Sequence, residues 1–281
     1  MIFNKREKTA LLVLLIAVVS SVFIFNKSIS DKQNMANNNP CDLLVPTPKA
    51  VLSIQKISLL KGLLSTPIMS ILETNSDPGS MTIAYYDNTE VVMIQTDREN
   101  ASKIIKSLDK KFPFMAEKKS YGPVTISYYA ETNSRYLSGY YHQGVFVISY
   151  DINMVKHTIR NSMNGGSTKL NGLCKLIEES TKDRGAELFI NGDACNISLQ
   201  FEDSTVWKPK QAWIETNLYR NENGDLCGYA EQELYIRADS IFSTNLTDTI
   251  IARLNLLFPE RKATVDVSQD STMAYISVCL K

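Results

Sequence analysis

Histidine is scarce. His142 and His157 are the only two in 281 residues, so a histidine-rich zinc site lacks ligands, and neither a metal nor another cofactor is expected. The five cysteines (Cys41, Cys174, Cys195, Cys227, Cys279) stand far apart with no Cys-x-x-Cys between any two. Charge of one sign is not in excess: 30 basic and 30 acidic residues give a formal net charge of zero. With no basic stripe, nucleic acid has no electrostatic footprint to bind.

Catalytic signatures are missing as well. Gly-x-Ser-x-Gly does not occur. Ser-x-x-Lys occurs at Ser53–Lys56, Ser58–Lys61 and Ser107–Lys110, without the Ser-Asp-Asn and Lys-Thr-Gly elements that accompany it in penicillin-binding enzymes. Gly165-Gly166-Ser167-Thr168-Lys169 lacks both the upstream glycine and the Gly-Lys-Ser/Thr order of a phosphate loop. Asn221–Asp225 has calcium-loop flavour, but Tyr219 and Ala230 would occupy the first and twelfth loop positions, where acids are needed. The adjacent acids Glu202-Asp203 and Glu178-Glu179 have nothing that places them opposite a partner across a cleft. No catalytic residue is assigned, and a non-enzymatic role is favoured.

What is present begins with Thr9–Phe25, about 17 residues without a charge. As a helix it spans roughly 26 Å, close to a bilayer core of about 30 Å. Lys5, Arg6 and Lys8 precede it and Lys27 follows. The denser positive flank stays cytoplasmic, which puts the rest of the chain on the other side of the membrane, a periplasm if the host has one. The alternative is a signal peptide cut before Asp31. The apolar run continues through Val22–Phe25, longer than a usual signal core, and favours an uncleaved anchor. Cys41 follows Asn38-Asn39-Pro40 in a polar stretch, which argues against a lipid anchor there. Residues 1–8 are then a cytoplasmic tail, 9–25 a transmembrane anchor, and 26–42 a polar, Asn-rich flexible stalk.

Beyond the stalk, apolar periodicity separates hairpins from helices. Strands are expected at Ala50–Ile54, Met81–Tyr86 and Val91–Thr96, and again at Val124–Glu131, Tyr136–His142 and Val145–Tyr150. In the second half they are expected at Glu187–Ile190, Ile197–Phe201, Ala212–Tyr219, Leu226–Tyr235, Ala263–Val267 and Met273–Leu280. Asn223-Gly224 is a strong hairpin turn. Helices are expected over Ser58–Glu73, after a capping box at Thr96-Asp-Arg-Glu99, after a cap at Asp151, over Leu170–Glu179 and over Asn245–Phe258. Cys174 shares an apolar helix face with Leu170, Leu173 and Ile177 and reads as a buried thiol, with at most one disulfide in the chain. Hairpins separated by helices argue an α+β fold, antiparallel sheets with helices packed on one face.

An internal repeat is also legible. Ile104-Ile105-x-x-Leu108-x-x-x-Phe112-Pro113 and Ile250-Ile251-x-x-Leu254-x-x-x-Phe258-Pro259 agree at five residues with identical spacing. Each is followed by a strand, Val124–Tyr128 or Ala274–Val278. Two pseudo-repeated α+β halves, 43–164 and 165–281, follow from this.

The stretch Tyr140–Met163, YYHQGVFVISYDINMVKHTIRNSM, sets two strands and a capped helix in quick succession. In this the chain resembles a family of uncharacterised bacterial membrane-anchored extracytoplasmic α+β proteins of unknown function. The resemblance implies the fold and supplies no catalytic residues. Together these readings point to a membrane-anchored envelope protein, most simply a non-catalytic binding or structural module. Its partner would be an envelope protein or a cell-wall component. The alternative is an extracytoplasmic hydrolase with a dispersed site. Nine of the 13 tyrosines lie between Tyr85 and Tyr150. Alternation places Tyr129 on the less apolar face of one strand, and Tyr136, Tyr140 and His142 on one face of the next. Those four are the candidate binding residues if the hairpin register gathers them. Cross-strand packing of tyrosines is the other reading.

Overall fold

The computed structural model describes residues 20–21, 39–55, 80–87, 89–131, 135–164, 171–179, 185–192, 197–200, 206–209, 212–236, 244–245, 251–252, 255, 262–270 and 273–280. The chain opens with a 3-10 helix, Pro40–Leu43. The strands then run in order: β1 Ala50–Ile54, β2 Met81–Tyr85, β3 Glu90–Gln95, β4 Glu117–Tyr121, β5 Val124–Ala130, β6 Tyr136–His142 and β7 Val145–Ser149. They continue with β8 Ala186–Asn191, β9 Ile197–Gln200, β10 Val206–Pro209, β11 Trp213–Arg220, β12 Leu226–Ile236, β13 Thr244–Asn245, β14 Ala263–Asp270 and β15 Met273–Leu280. Among the described residues, helices with both ends defined are α1 Arg98–Lys111 between β3 and β4, then α2 Ile152–Met163 and α3 Asn171–Glu179 between β7 and β8.

Hydrogen bonding joins these strands into one sheet whose main path is β13-β9-β10-β12-β11-β8-β1-β2-β3-β7-β6-β5-β4. At β12 the path branches, because β15 also pairs with β12 and carries β14. The pairings are antiparallel apart from β13 with β9. The seam between the two ends of the chain is the β1–β8 pair, centred on Leu52 opposite Leu188.

The short strands β1, β2 and β7 are buried along their whole length. That is why they read as mostly apolar, with Ser53, Thr82 and Ser149 as buried exceptions: both faces of this part of the sheet are covered. On one face Leu52, Ile83, Val92 and Ile148 meet Ala101, Ile104, Leu108 of α1 and Phe112 after it. The same cluster continues through Leu188, Leu218, Ala230, Ile276 and Val278, with Ile251 packed against it. On the other face Val51, Met93, Val147 and Phe189 meet Val155 and Ile159 of α2, Leu173 and Ile177 of α3, and Cys41, Leu43 and Leu44.

The α+β class and antiparallel sheet are as expected, but the helices lie on both faces. Their apolar stripes show that a helix buries one side. They carry no information on which face of the sheet that side meets.

Local signals explain most element ends. Asp97, not Thr96, caps α1, its Oδ1 accepting from the Asn100 N–H at 2.7 Å. Asp151 caps α2 the same way through Asn153 N–H at 2.8 Å. The β6–β7 turn holds Gln143 and Gly144 at φ 45° and 82°, and Gly224 in the β11–β12 turn sits at φ 83°. All three values are left-handed, the region that hairpin turns need and glycine adopts freely.

Four expectations change. The stalk does not run flexibly to residue 42, because Cys41 and Leu43 are buried and Asn161 Nδ2 of α2 donates to the carbonyls of Leu43 and Leu44, at 3.3 and 2.7 Å. Cys174 is not a thiol but is disulfide-bonded to Cys41, with the Cα atoms 5.6 Å apart. The boundary between 164 and 165 does not separate two cores, since α3 packs on the cluster that α2 covers. The strand matching Val124–Tyr128 is not β15. β5 reaches β3 only through β6 and β7, whereas β15 pairs with β12 directly.

The expected helix Ser58–Glu73 lies outside the described residues, as does most of Asn245–Phe258. Thr9–Phe25 is described only at Ser20 and Ser21, which are helical and exposed. Among the described residues no helix is long and apolar enough to cross a membrane.

Candidate functional site

The four tyrosine-face residues are not brought together. Tyr129 stands opposite Leu137, while Tyr136 stands opposite Ala130, so alternation sends Tyr129 to one face and Tyr136 and Tyr140 to the other. Tyr129 is 1% exposed, with its ring 5.3 Å from that of Phe112 under α1. Burial pushes its phenol up to about 12. Tyr140 is 2% exposed on the opposite side, donating to Thr158 Oγ1 of α2 at 3.0 Å. Tyr136 is 54% exposed at the start of β6. His142 is half-buried at its end, and burial lowers its pKa. The reason is register: β5 and β6 pair so that the less apolar face of one strand lies beside the more apolar face of the other, and helices cover both sides of the hairpin.

A different cluster converges at one end of the sheet, where β2, β5 and β7 finish and β1, β3 and β6 begin. A recess of about 650 Å³ opens there. Its lining includes Thr47, Asp87, Thr89, Arg135, Tyr150 and Asp151. Pro46, Ile152 and Met154 supply its apolar wall.

Each side chain is held by its neighbours. Arg135 lies over the Tyr150 ring, 4.4 Å from its centroid. The Tyr150 hydroxyl donates to Glu131 Oε1 at 2.5 Å, and burial together with this carboxylate raises the phenol's pKa. The backbone of Glu131 donates to the Arg135 carbonyl at 2.9 Å, closing the β5–β6 connection. Lys49 Nζ is 3.5 Å from Asp87 Oδ1. Tyr86 donates to the Val45 carbonyl at 2.9 Å, tying the segment before β1 to the end of β2.

Thr47 has φ 66°. A β-branched residue is strained there, and such strain collects at ligand-contacting loops.

The lining offers groups that can recognise a polar ligand. Arg135 presents guanidinium donors, Asp87 presents a carboxylate, and Thr89 and Tyr150 present hydroxyls. The hydroxyl of Ser149 serves the backbone instead. It donates to the Glu90 carbonyl at 2.6 Å and accepts from the Asp151 N–H at 3.1 Å. Among the described residues, no three His, Cys, Asp or Glu side chains are grouped as metal ligands.

Nothing in the sequence marked this recess. Its polar residues lie between elements, at separations from one to more than 100 positions, and only strand order assembles them.

No family model matches the chain, and no curated protein matches it. The solved structure of crystal form I of TP0453 is similar with a TM-score of 0.43 and 10% sequence identity, over 86% of this chain and 92% of that one. Similarity at that level carries no argument about function.

Proposed function

We propose that the chain is an envelope protein held at the membrane by Thr9–Phe25, whose folded part lies on the far side and acts as a non-catalytic binding module. The observation that carries this reading is the recess. Its volume falls in the range of ligand sites, and its lining mixes an apolar wall with a few convergent polar groups. The occupant is a cell-wall fragment bearing hydroxyls and a carboxylate. Asp87 and Thr89 accept from the hydroxyls, and Arg135 pairs with the carboxylate.

Calorimetric titration of solubilised cell-wall fragments tests it. Wild type should bind, and Arg135→Ala should lose at least tenfold in affinity without a change in melting temperature, because Arg135 is exposed. No binding by wild type, or equal binding by the variant, overturns it. N-terminal sequencing of membrane-extracted protein tests the anchor, and a start at Asp31 rules it out.

The hydrolase reading has one observation in its favour. Burial pushes the Glu90 carboxyl up to about 7, the range of a general acid. Desolvation alone accounts for that shift, and Glu90 is not among the residues that line the recess.

The finer organisation proposed for the sheet is two halves related by a twofold axis through the β1–β8 pair. Ladder register supports it. From Leu52 outward, the row is Ile83, Val92, Ile148, Gly139. From Leu188 outward, it is Thr216 in β11; continuing the β11–β12 register one residue past Asn217–Tyr229 sets Ala230 beside it, and Ile276 and Val267 follow across β15 and β14. The two rows match strand for strand, and Ile105 and Ile251, equivalent in the repeat, both pack against the cluster they form. An experimental structure with β12 or β15 paired out of this register overturns the duplication.

A further inference from the structure

Cys227 and Cys279 are direct partners in the β12–β15 ladder, and their sulfurs are 2.9 Å apart. Along these strands Leu226, Ala230, Ile276 and Val278 turn to the α1-side core. The cysteines are one residue out of phase and point together to the opposite face. Cys227 is buried there, whereas Cys279 is partly exposed. Opposed residues of an antiparallel pair have Cα atoms about 4.5–5.5 Å apart, inside the roughly 4.4–6.8 Å that a disulfide tolerates. Backbone register and sulfur contact therefore agree: no strand has to shift for a bond to form.

We propose that Cys227 and Cys279 form a thiol–disulfide exchange site, which closes into a second intrachain disulfide by reaction with a disulfide donor of the glutathione or exported-oxidoreductase class. Cys279, the exposed sulfur, loses its proton and attacks one sulfur of the donor disulfide. The donor S–S bond breaks, one donor thiolate leaves, and a mixed disulfide remains on Cys279. Cys227 then loses its proton and attacks Cys279 Sγ, and the second donor thiolate leaves. Two protein thiols are oxidised to one disulfide, the donor is reduced to two thiols, and two protons leave the protein. The product staples β15 to β12 across a sequence separation of 52. Among the described residues β14 reaches the sheet through β15 alone, so the bond secures the whole C-terminal hairpin. The inference stands independently of the recess.

The test uses the full chain in detergent, reduced and then exposed to oxidised glutathione until Cys41–Cys174 has re-formed. Remaining thiols are alkylated and the peptides mapped by mass spectrometry. The expected product is a Cys227–Cys279 linked peptide, in wild type and in Cys195→Ser alike. In Cys227→Ser, glutathione should stay on Cys279 as a stable mixed disulfide. In Cys279→Ser, at least tenfold less should be found on Cys227. Alkylation of both Cys227 and Cys279 once Cys41–Cys174 has closed, or pairing of either with Cys195, overturns the proposal.

Discussion

Glu90 is the residue where the environment most changes the chemistry. It opens β3 with the parity of Val92 and Ile94, so its carboxyl faces the α1-side core, opposite Tyr85. Burial pushes it up to about 7, from an ordinary value of 4.5. Between those values the folded chain keeps a proton that the unfolded chain has released. Stability is therefore full below the ordinary value and falls as pH rises through about 7. The whole shift is worth about 3 kcal/mol. Urea midpoints at about pH 5 and about pH 8 should show this loss in wild type and its absence in Glu90→Gln. Equal losses in both would place the titrating group elsewhere. Tyr85 gives a second expectation. Its buried hydroxyl has no hydrogen-bond partner among the described residues, so Tyr85→Phe should raise stability by about 1 kcal/mol in the same assay. Neither feature was legible beforehand. Alternation assigns a side chain to a face, but only the helices packed on the sheet decide whether that face is wet. Tyr129, Tyr136, Tyr140 and His142 were scattered by the β5–β6 register, which alternation within one strand does not contain.

At the scale of elements, the sequence was most readable where one local rule acts alone. The apolar runs of β1, β2 and β7, the turn at Gly224 and the cap at Asp151 are of this kind. Elements without such a rule stayed hidden. β4 reads Glu-Lys-Lys-Ser-Tyr and is exposed along most of its length. Charge suits a sheet edge and leaves no apolar alternation to find. β10 is Val-Trp-Lys-Pro, whose proline argues against a strand. The 3-10 helix Pro40–Leu43 hid within a polar stretch, because what buries it is the distant partner of Cys41. That disulfide bridges a sequence separation of 133, and five cysteines offer no spacing that would reveal it. It ties the chain's entry into the fold to α3, so Cys41→Ser/Cys174→Ser should lose about 2–5 kcal/mol in chemical denaturation. A loss well below that range would mean that α2 and α3 hold the segment unaided. The α1 cap is a smaller lever: Asp97→Ala should cost about 1 kcal/mol.

For the whole molecule, hairpins could be foreseen but not their order, because strand pairing across a long sequence separation leaves no local trace. The β1–β8 seam is such a pairing, and it decides whether the two ends of the sheet act as one body. Leu52 and Leu188 are opposed at its centre, both fully buried, and one apolar cluster runs across them from Leu137 to Val278. A continuous core predicts cooperative unfolding. The chain carries its own reporters, because both tryptophans, Trp207 and Trp213, lie beyond the seam while nine of the 13 tyrosines lie before it. Tryptophan fluorescence and the tyrosine near-ultraviolet signal should give the same denaturant midpoint. Leu188→Ala removes a fully buried side chain from the centre of the seam and should cost about 2–5 kcal/mol. Both signals should move down together by that amount. If only the tryptophan transition shifts, the sheet is continuous in its hydrogen bonds but divided in its stability. The recess at the end of β2, β5 and β7 would then sit on a body that folds without the C-terminal half.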